Sequence, residues 1–287
     1  MGSVTGKQGV LIPIGGGEDR GEELEPVLPF ETKGVLKHIL TEANGVDSKV
    51  VLITTASKIP MEVAQQYRHG FNRLKCRSFK HYHFIDKTTC DEPEVMKDFE
   101  EADVVMFSGG NQSRLPRFLG KSALIAMLAE RYKNDSLVIA GTSAGAMAMS
   151  KYMIAGGSAS EAFYKGAVKT GQGFGLIANL IIDTHFVRRG RFGRLAEAVA
   201  KYPQCVGIGL AEDTGVVIKD GQDIRVIGSG MTIVMDPRTV THNNHKILKE
   251  GTLLSMTGLT VHLLSNGDRF SLAEHATKVL PMGESYI

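Results

Sequence analysis

The stretch LVIAGTSAGA, residues 137–146, decides how the rest of this sequence is interpreted. Its first four residues are apolar and partly β-branched, which predicts a short buried strand. Residues 147–153 then predict a helix. Ser143 therefore lies between a strand and a helix, with glycine two residues before it and two residues after it. This is the G-x-S-x-G pattern of a nucleophile elbow.

The glycines around Ser143 have a physical reason. A nucleophile on a tight strand-to-helix turn has a strained backbone, and a side chain two residues away would collide with the turn. The same turn directs the amide of Ala144 toward the serine hydroxyl, beside the positive end of the helix, which provides half of an oxyanion hole. The alternative interpretation is a junction of small residues that merely packs closely. The flanking strand and helix favour a nucleophilic serine.

Composition limits the class of protein. The chain has 287 residues with 43% hydrophobic and 22% charged residues, which is ordinary for a globular protein. The net charge of +2 gives no field that would call for nucleic acid or an anionic membrane. No apolar run approaches the ~20 residues that span a bilayer, and no signal peptide is apparent. Three cysteines without metal-like spacing fit a reducing cytoplasm.

Strands and helices alternate along the first two thirds of the chain. This order predicts a three-layer α/β/α fold with a mostly parallel, doubly wound sheet. The last third contains several short strands separated by turns, which predict an antiparallel extension of the same sheet. No linker is apparent, so residues 1–287 form one predicted domain. The predicted strands cover residues 9–14, 50–55, 79–85, 104–107, 206–213, 215–219, 223–227, 230–235 and 252–264, and the predicted helices cover residues 33–43, 61–74, 92–102 and 114–133.

Two glycine clusters follow predicted strands. Residues 15–17 lack the spacing of a nucleotide-binding fingerprint, so we expect a tight loop at the border of the site. Gly109 and Gly110 follow the strand at residues 104–107, where open α/β sheets bind their ligands. A free amide at Gly110 or Asn111 could complete the oxyanion hole, and Gln112 could offer its side-chain amide to a substrate. The alternative is a glycine turn that precedes a capped helix.

A nucleophilic serine needs a base, and histidine is the usual one at neutral pH. His185 has the most suitable context, because it follows the apolar run at residues 180–182 and precedes a polar segment. His81 and His83 share a strand face, but no third ligand is near them in sequence, so solvated histidines are expected there rather than a metal pair. Spacing alone leaves three candidates for the acid that orients His185: Glu161, Asp183 and Glu212.

Four arginines lie in the seven-residue segment 188–194 that follows His185, at positions 188, 189, 191 and 194. Guanidinium groups match carboxylates, so this segment could bind an acidic substrate. A solvated basic helix start and RNA binding are the alternatives. The nearly neutral chain and the lack of interleaved aromatic residues argue against RNA.

Taken together, these motifs resemble those of the cyanophycinases, serine peptidases of the same group as the aspartyl dipeptidases (peptidase E). The resemblance spans nearly the whole chain, with the motifs in the family's order. Its motifs are GGGED (15–19), FSGGNQ (107–112), GTSAGA (141–146) and DTHF (183–186) followed by Arg189 and Arg191.

The resemblance implies a fold like that of the class I glutamine amidotransferases. It also implies release of β-aspartyl-arginine dipeptides from the end of cyanophycin, a polyaspartate with an arginine on each side-chain carboxyl, by a homodimer. No metal or organic cofactor is expected. The implied roles are nucleophile for Ser143, base for His185, acid for Glu161, oxyanion hole for Gly110 and Ala144, and substrate binding for Gln112, Asp183, Thr184, Arg189, Arg191 and Arg194.

One position departs from the family pattern. Thr184 stands where the family commonly has glutamine, and its shorter side chain would remove one amide from the substrate pocket. Two other functions remain open at this point. One is a dipeptidase that acts on Asp-X peptides, and the other is a catalytically silent binding module of the same fold.

Overall fold

The computed structural model describes residues 8–157 and 161–280, and a nine-stranded sheet lies at its centre. No helix in these two ranges is long and apolar enough to cross a membrane. The helices are α1 (Phe30–Lys33), α2 (Val35–Glu42), α3 (Pro60–Arg73), α4 (Pro93–Glu100), α5 (Arg114–Phe118), α6 (Ala123–Asn134), α7 (Ala144–Ala148) and α8 (Phe192–Lys201). The strands are β1 (Val10–Ile14), β2 (Lys49–Ile53), β3 (Ser78–Tyr82), β4 (Val104–Phe107), β5 (Val138–Thr142), β6 (Tyr152–Gly157), β7 (Val168–Gln172), β8 (Leu180–Asp183), β9 (Val206–Leu210), β10 (Thr214–Lys219), β11 (Asp223–Gly228), β12 (Thr232–Asp236), β13 (His242–Asn243), β14 (Met256–Thr257), β15 (Thr260–Leu264), β16 (Arg269–Ser271) and β17 (Ala276–Lys278).

The parallel half of the central sheet has the strand order β1-β5-β4-β2-β3. Its inner strands are short apolar runs because both of their faces are buried. In β1, Leu11 belongs to the core beneath α4 and α6, whereas Ile12 belongs to the core beneath α2 and α3. Helices therefore cover both faces of the sheet, and the predicted three-layer α/β/α fold is confirmed.

Most strands of the last third belong to one of two sheets, while β13 and β14 pair only with each other among the described strands. Strands β10 and β11 extend the central sheet in antiparallel fashion, as predicted, and β16 and β17, which were not predicted, continue it. Strands β9, β12 and β15 instead form a second, four-stranded sheet with β8. The prediction of a single extended sheet was wrong for these strands. The reason is that α8 connects β8 to β9 as a parallel crossover, which places β9 beside β8.

Two predicted helices differ from the structure. The helix predicted over residues 114–133 is two helices, because the chain turns at Gly120 and Ser122 caps α6 by accepting a hydrogen bond from the Ile125 N–H at 3.2 Å. The helix predicted over residues 147–153 ends early, and Tyr152 begins β6. Long-range pairing of β6 with β7 overrides the local helix preference there.

Candidate active site

Ser143 lies on the sharp turn between β5 and α7, with φ 50° and ψ −106°. Its N–H donates to the Ile14 carbonyl at 2.9 Å, which anchors the turn to the end of β1. A Cβ atom at Gly141 would lie 2.6 Å from the Gly145 carbonyl carbon, and one at Gly145 would lie 2.3 Å from the Phe107 carbonyl oxygen. Both positions therefore require glycine. The chain can make this sharp turn at Ser143 because Gly141 and Gly145 have no side chains.

His185 follows β8 and is held from two directions. Its N–H donates to the Gly15 carbonyl at 2.8 Å, and its Nδ1 lies 3.0 Å from Oε1 of Glu212. A carboxylate at this position favours the tautomer in which Nδ1 donates, and Nε2 is then free to accept a proton. A Cβ at Gly16 would lie 2.5 Å from Nε2, so the loop at residues 15–17 borders the site, as expected.

The three acid candidates occupy different places. Glu212 contacts His185, and the two side chains are 24% and 19% exposed. Asp183 is fully buried and pairs with arginines. Glu161 is exposed and lines a separate surface pocket with Tyr164 and Lys165. The family resemblance gave the role of the acid beside His185 to Glu161. In the structure Glu212 lies beside His185 instead, because the loop after β9 carries it there.

Ala144 and Gly110 are the two residues whose backbone amides were predicted to form an oxyanion hole. Ala144 is the first residue of α7, and Gly110 lies on the turn after β4 with φ 139°. Neither N–H has an acceptor among the residues that the structure describes. A Cβ at Gly110 would lie 2.1 Å from the Ala56 carbonyl oxygen, so only glycine permits this turn. A free N–H pair beside a serine can stabilise a developing negative charge.

Asp183 forms ion pairs with Arg191 and Arg194, two of the arginines that were predicted to bind substrate. Arg194 is 4% exposed and binds both carboxylate oxygens of Asp183, through Nε at 2.7 Å and through Nη2. Arg191 reaches the same carboxylate at 3.3 Å and the Thr184 carbonyl at 2.5 Å. Burial lowers the pKa of Arg191 to about 10, although Asp183 opposes the shift, so the guanidinium stays charged at neutral pH.

Two further residues that were predicted to bind substrate, Thr184 and Gln112, direct their side chains into the protein. Thr184 is fully buried, and its hydroxyl has no hydrogen-bond partner in the described ranges. The side-chain amide of Gln112 donates to the carbonyls of Ile154 and Ala155, at 3.1 Å and 2.9 Å. Gln112 therefore fastens the turn after β4 to β6. Sequence cannot show this, because the partners are backbone atoms of a distant strand.

Four of the remaining predicted site residues line a cleft of about 390 Å³. Ser143, His185, Gly110 and the predicted substrate residue Arg189 all line it. Residues from α3 and the segment before it form another part of the wall, namely Ser57, Ile59, Val63 and Tyr67. The cleft therefore brings a serine, a histidine and a cation to one solvent-accessible surface.

Sequence reasoning missed the group after residue 17 that lies beside the cleft. Glu18 is 4% exposed and accepts hydrogen bonds from the hydroxyls of Tyr67 and Thr142, the latter at 2.7 Å. Burial, together with Glu18, raises the pKa of Tyr67 well above its ordinary value. Arg20 lines the cleft and lies over the Tyr67 ring, 4.5 Å from its centroid. Glu18 belongs to the GGGED motif at residues 15–19, but the motif gave it no role, and Arg20 lies just outside that motif.

The histidines on β3 and after it are engaged by protein atoms. His81 Nε2 lies 2.6 Å from the Thr54 hydroxyl, and His83 Nδ1 lies 3.0 Å from the Thr54 carbonyl. Burial and the nearby His83 lower the pKa of His81. Within residues 8–157 and 161–280, no group of three or more His, Cys, Asp or Glu side chains could hold a metal ion. Cys76, Cys90 and Cys205 are buried free thiols.

Comparison with known proteins identifies the family. Residues 29–227 match Peptidase family S51, so this chain belongs to peptidase family S51. Two solved structures share its fold. A peptidase from an acI-B1 Actinobacterium has a TM-score of 0.67 at 22% identity, over 93% of this chain and 98% of that one. A putative peptidase E protein from Listeria monocytogenes EGD-e has a TM-score of 0.52 at 13% identity, over 77% and 99%.

Two cyanophycinases are more similar in sequence to this chain than the two solved structures are. The cyanophycinase of Trichormus variabilis is 32% identical over 275 residues, which cover 96% of this chain and 88% of that protein. The cyanophycinase of Geminocystis herdmanii is 30% identical over 265 residues, which cover 92% of this chain and 94% of that protein.

Proposed function

We propose that this chain is a serine-type exopeptidase that hydrolyses cyanophycin to β-Asp-Arg dipeptides. One observation carries the proposal. Ser143 and His185 line a single cleft, with His185 on Glu212, in a chain 32% identical to a cyanophycinase over 96% of its length. The enzyme acts in the cytoplasm as a homodimer and needs no metal or organic cofactor.

The reaction follows the serine peptidase scheme. The Ser143 hydroxyl oxygen forms a bond to an aspartyl carbonyl carbon while Nε2 of His185 takes its proton. The N–H groups of Ala144 and Gly110 hold the resulting oxyanion. His185 then returns the proton to the leaving amine as the C–N bond breaks. Water attacks the acyl-enzyme by the same proton route and releases the second product.

Glu212 is the orienting acid in this mechanism, in place of Glu161. Its carboxylate lies 3.0 Å from His185 Nδ1, which is within hydrogen-bonding distance. The carboxylate holds the ring in the tautomer that the reaction needs and stabilises the imidazolium that forms. Glu161 has no such position, because it lies in a separate surface pocket.

The remaining residues divide into binding and positioning roles. Arg189 lines the cleft and binds a substrate carboxylate. Asp183, with Arg191 and Arg194, fixes the segment that carries His185, because a fully buried carboxylate paired with two arginines has a single arrangement. Gln112 holds the oxyanion turn against β6 and leaves its carbonyl oxygen as the atom that could face a substrate.

The test is incubation of the purified protein with insoluble cyanophycin, beside Ser143→Ala. We expect the wild type to clear the polymer and mass spectrometry to detect β-Asp-Arg, whereas the variant releases none. If the wild type leaves cyanophycin intact and cuts Asp-X dipeptides, it is a dipeptidase. If it acts on neither substrate, it is a binding module, and the proposed function is wrong.

A further inference from the structure

The cleft that contains Ser143 has a second cation that the sequence motifs did not indicate. Arg20 lines the same cleft as Arg189, although it comes from the loop after β1 rather than from the segment after His185. Its side chain is 25% exposed. By contrast, Arg191 and Arg194 already pair with Asp183. The cationic wall of this cleft therefore comes from two separate segments of the chain.

Protein contacts hold the Arg20 guanidinium in place but use only some of its N–H donors. Nη1 donates to Gln66 at 2.6 Å, and Nη2 makes a long contact of 3.4 Å to the Tyr67 hydroxyl. A guanidinium has five N–H donors, so within the described ranges most of its donors lack an acceptor. One of them, Nε, is buried and has no partner there. The packing on the Tyr67 ring fixes the plane of the group.

The nearest carboxylate does not use Arg20 as a hydrogen-bond donor. Glu18 lies 3.8 Å from Nη2, beyond hydrogen-bonding distance. Its two oxygens instead accept from the Tyr67 and Thr142 hydroxyls. Glu18 therefore places a carboxylate beside this largely buried cation, and it leaves the second N–H of each Nη of Arg20 to a ligand. Burial lowers the pKa of Arg20, but Tyr67 and Glu18 outweigh burial and raise it, so the group is charged.

We infer that Arg20 is a specificity-determining residue that binds a carboxylate of the terminal substrate unit. This inference rests on the proposed function. A β-aspartyl-arginine unit at the carboxyl end of the polymer has two free carboxylates, one on the chain terminus and one on the arginine. The cleft presents two cations, Arg20 and Arg189. An internal unit lacks the chain-terminal carboxylate, so recognition of that group makes the enzyme an exopeptidase.

The test uses a two-unit fragment of cyanophycin and two monoamides of it, one at the chain-terminal carboxylate and one at the arginine carboxylate of the last unit. A charge-assisted hydrogen bond contributes enough that we expect one monoamide to lower wild-type kcat/KM by roughly 10- to 100-fold. Arg20→Gln should lower kcat/KM for the free fragment by the same factor, mainly through KM, and should be insensitive to that amide. The monoamide concerned identifies which carboxylate Arg20 binds.

Two further variants separate binding from folding. Arg20→Lys keeps the charge beside Glu18 and should keep part of the discrimination, since it loses only the planar fork. Arg188→Gln removes the same charge from an exposed residue outside the cleft lining and should stay within about twofold of wild type on all substrates. Thermal unfolding of each variant checks the fold.

The outcomes distinguish the inference from the proposed function. If Arg20→Gln is slowed equally on the acid and both amides, Arg20 only supports the structure and the inference is wrong. It is also wrong if the wild type does not discriminate between the acid and either amide. If the wild type cleaves none of the three fragments and leaves the polymer intact, the proposed function fails and the inference with it.

Discussion

Replacement of Glu212 by glutamine tests the acid of the proposed catalytic group. The amide has the shape of the carboxylate and can still accept a hydrogen bond from His185 Nδ1, so the variant removes mainly the negative charge. That charge matters when His185 becomes positively charged in the transition state. We therefore expect Glu212→Gln to lower kcat and to leave KM and the fold nearly unchanged.

The geometry gives the size of the effect. Two unit charges at the observed 3.0 Å interact by about 1.4 kcal/mol in water and by about 5.5 kcal/mol at an effective dielectric constant of about 20. The side chains are 19% and 24% exposed, so an intermediate value of about 3 kcal/mol applies. This corresponds to a loss of roughly 100- to 200-fold in kcat. If the amide turns its NH₂ toward Nδ1, the wrong tautomer forms and the loss approaches about 10⁴-fold.

The assay is the initial rate of β-Asp-Arg release from soluble fragments, with thermal unfolding as the control for the fold. Glu161→Gln is the matched variant, since it makes the same chemical change at an exposed carboxylate in a separate pocket. We expect it to stay within about twofold of wild type. The reasoning is refuted if Glu212→Gln keeps kcat within about fivefold of wild type, or if Glu161→Gln shows the larger loss.

Two further predictions concern stability. Asp183→Asn leaves Arg191 and Arg194 without their counter-charge. We expect this to lower the free energy of unfolding by about 3–5 kcal/mol and the thermal midpoint by roughly 6–12 °C. A fall of less than 2 °C in calorimetry would count against this reasoning. Burial, with help from Arg225, lowers the pKa of His38 from 6.5 to about 4. The unfolded chain then binds a proton that the folded chain excludes, so wild-type stability should fall by about 1–2 kcal/mol, after allowance for solvent screening, as the pH drops from about 6.5 to about 4. His38→Gln should flatten this part of the urea-denaturation profile, whereas the exposed control His69→Gln should leave it unchanged.

Local patterns were sufficient for the framework of the site. The strand before Ser143, the flanking glycines and the helix start are neighbours in sequence, so their spacing predicts the turn that the structure contains. The same holds for the glycine loop after β1, which borders His185 as expected. Boundaries were less predictable. The end of α7 depends on the pairing of β6 with β7, which lies outside any local pattern.

The partners of the charged residues were not predictable from spacing. Arg189 and Arg191 are two residues apart, yet one lines the cleft and the other pairs with Asp183. Both residues lie before the start of α8, in a turn whose side-chain directions follow no regular period, so the sequence does not show which of them faces the cleft. Arg20 had no motif at all, because its role depends on α3 beneath it.

The sequence by itself determined a parallel α/β fold and a serine and a histidine at the carboxyl ends of their strands. These features come from hydrophobic periodicity and from glycine spacing, which act between close neighbours. Only the tertiary structure decided which carboxylate meets His185 and which arginines reach the cleft. Glu212 lies 27 residues beyond His185, at the end of a different strand. A contact over such a distance is set by how the strands pair, and strand pairing is a property of the whole sheet.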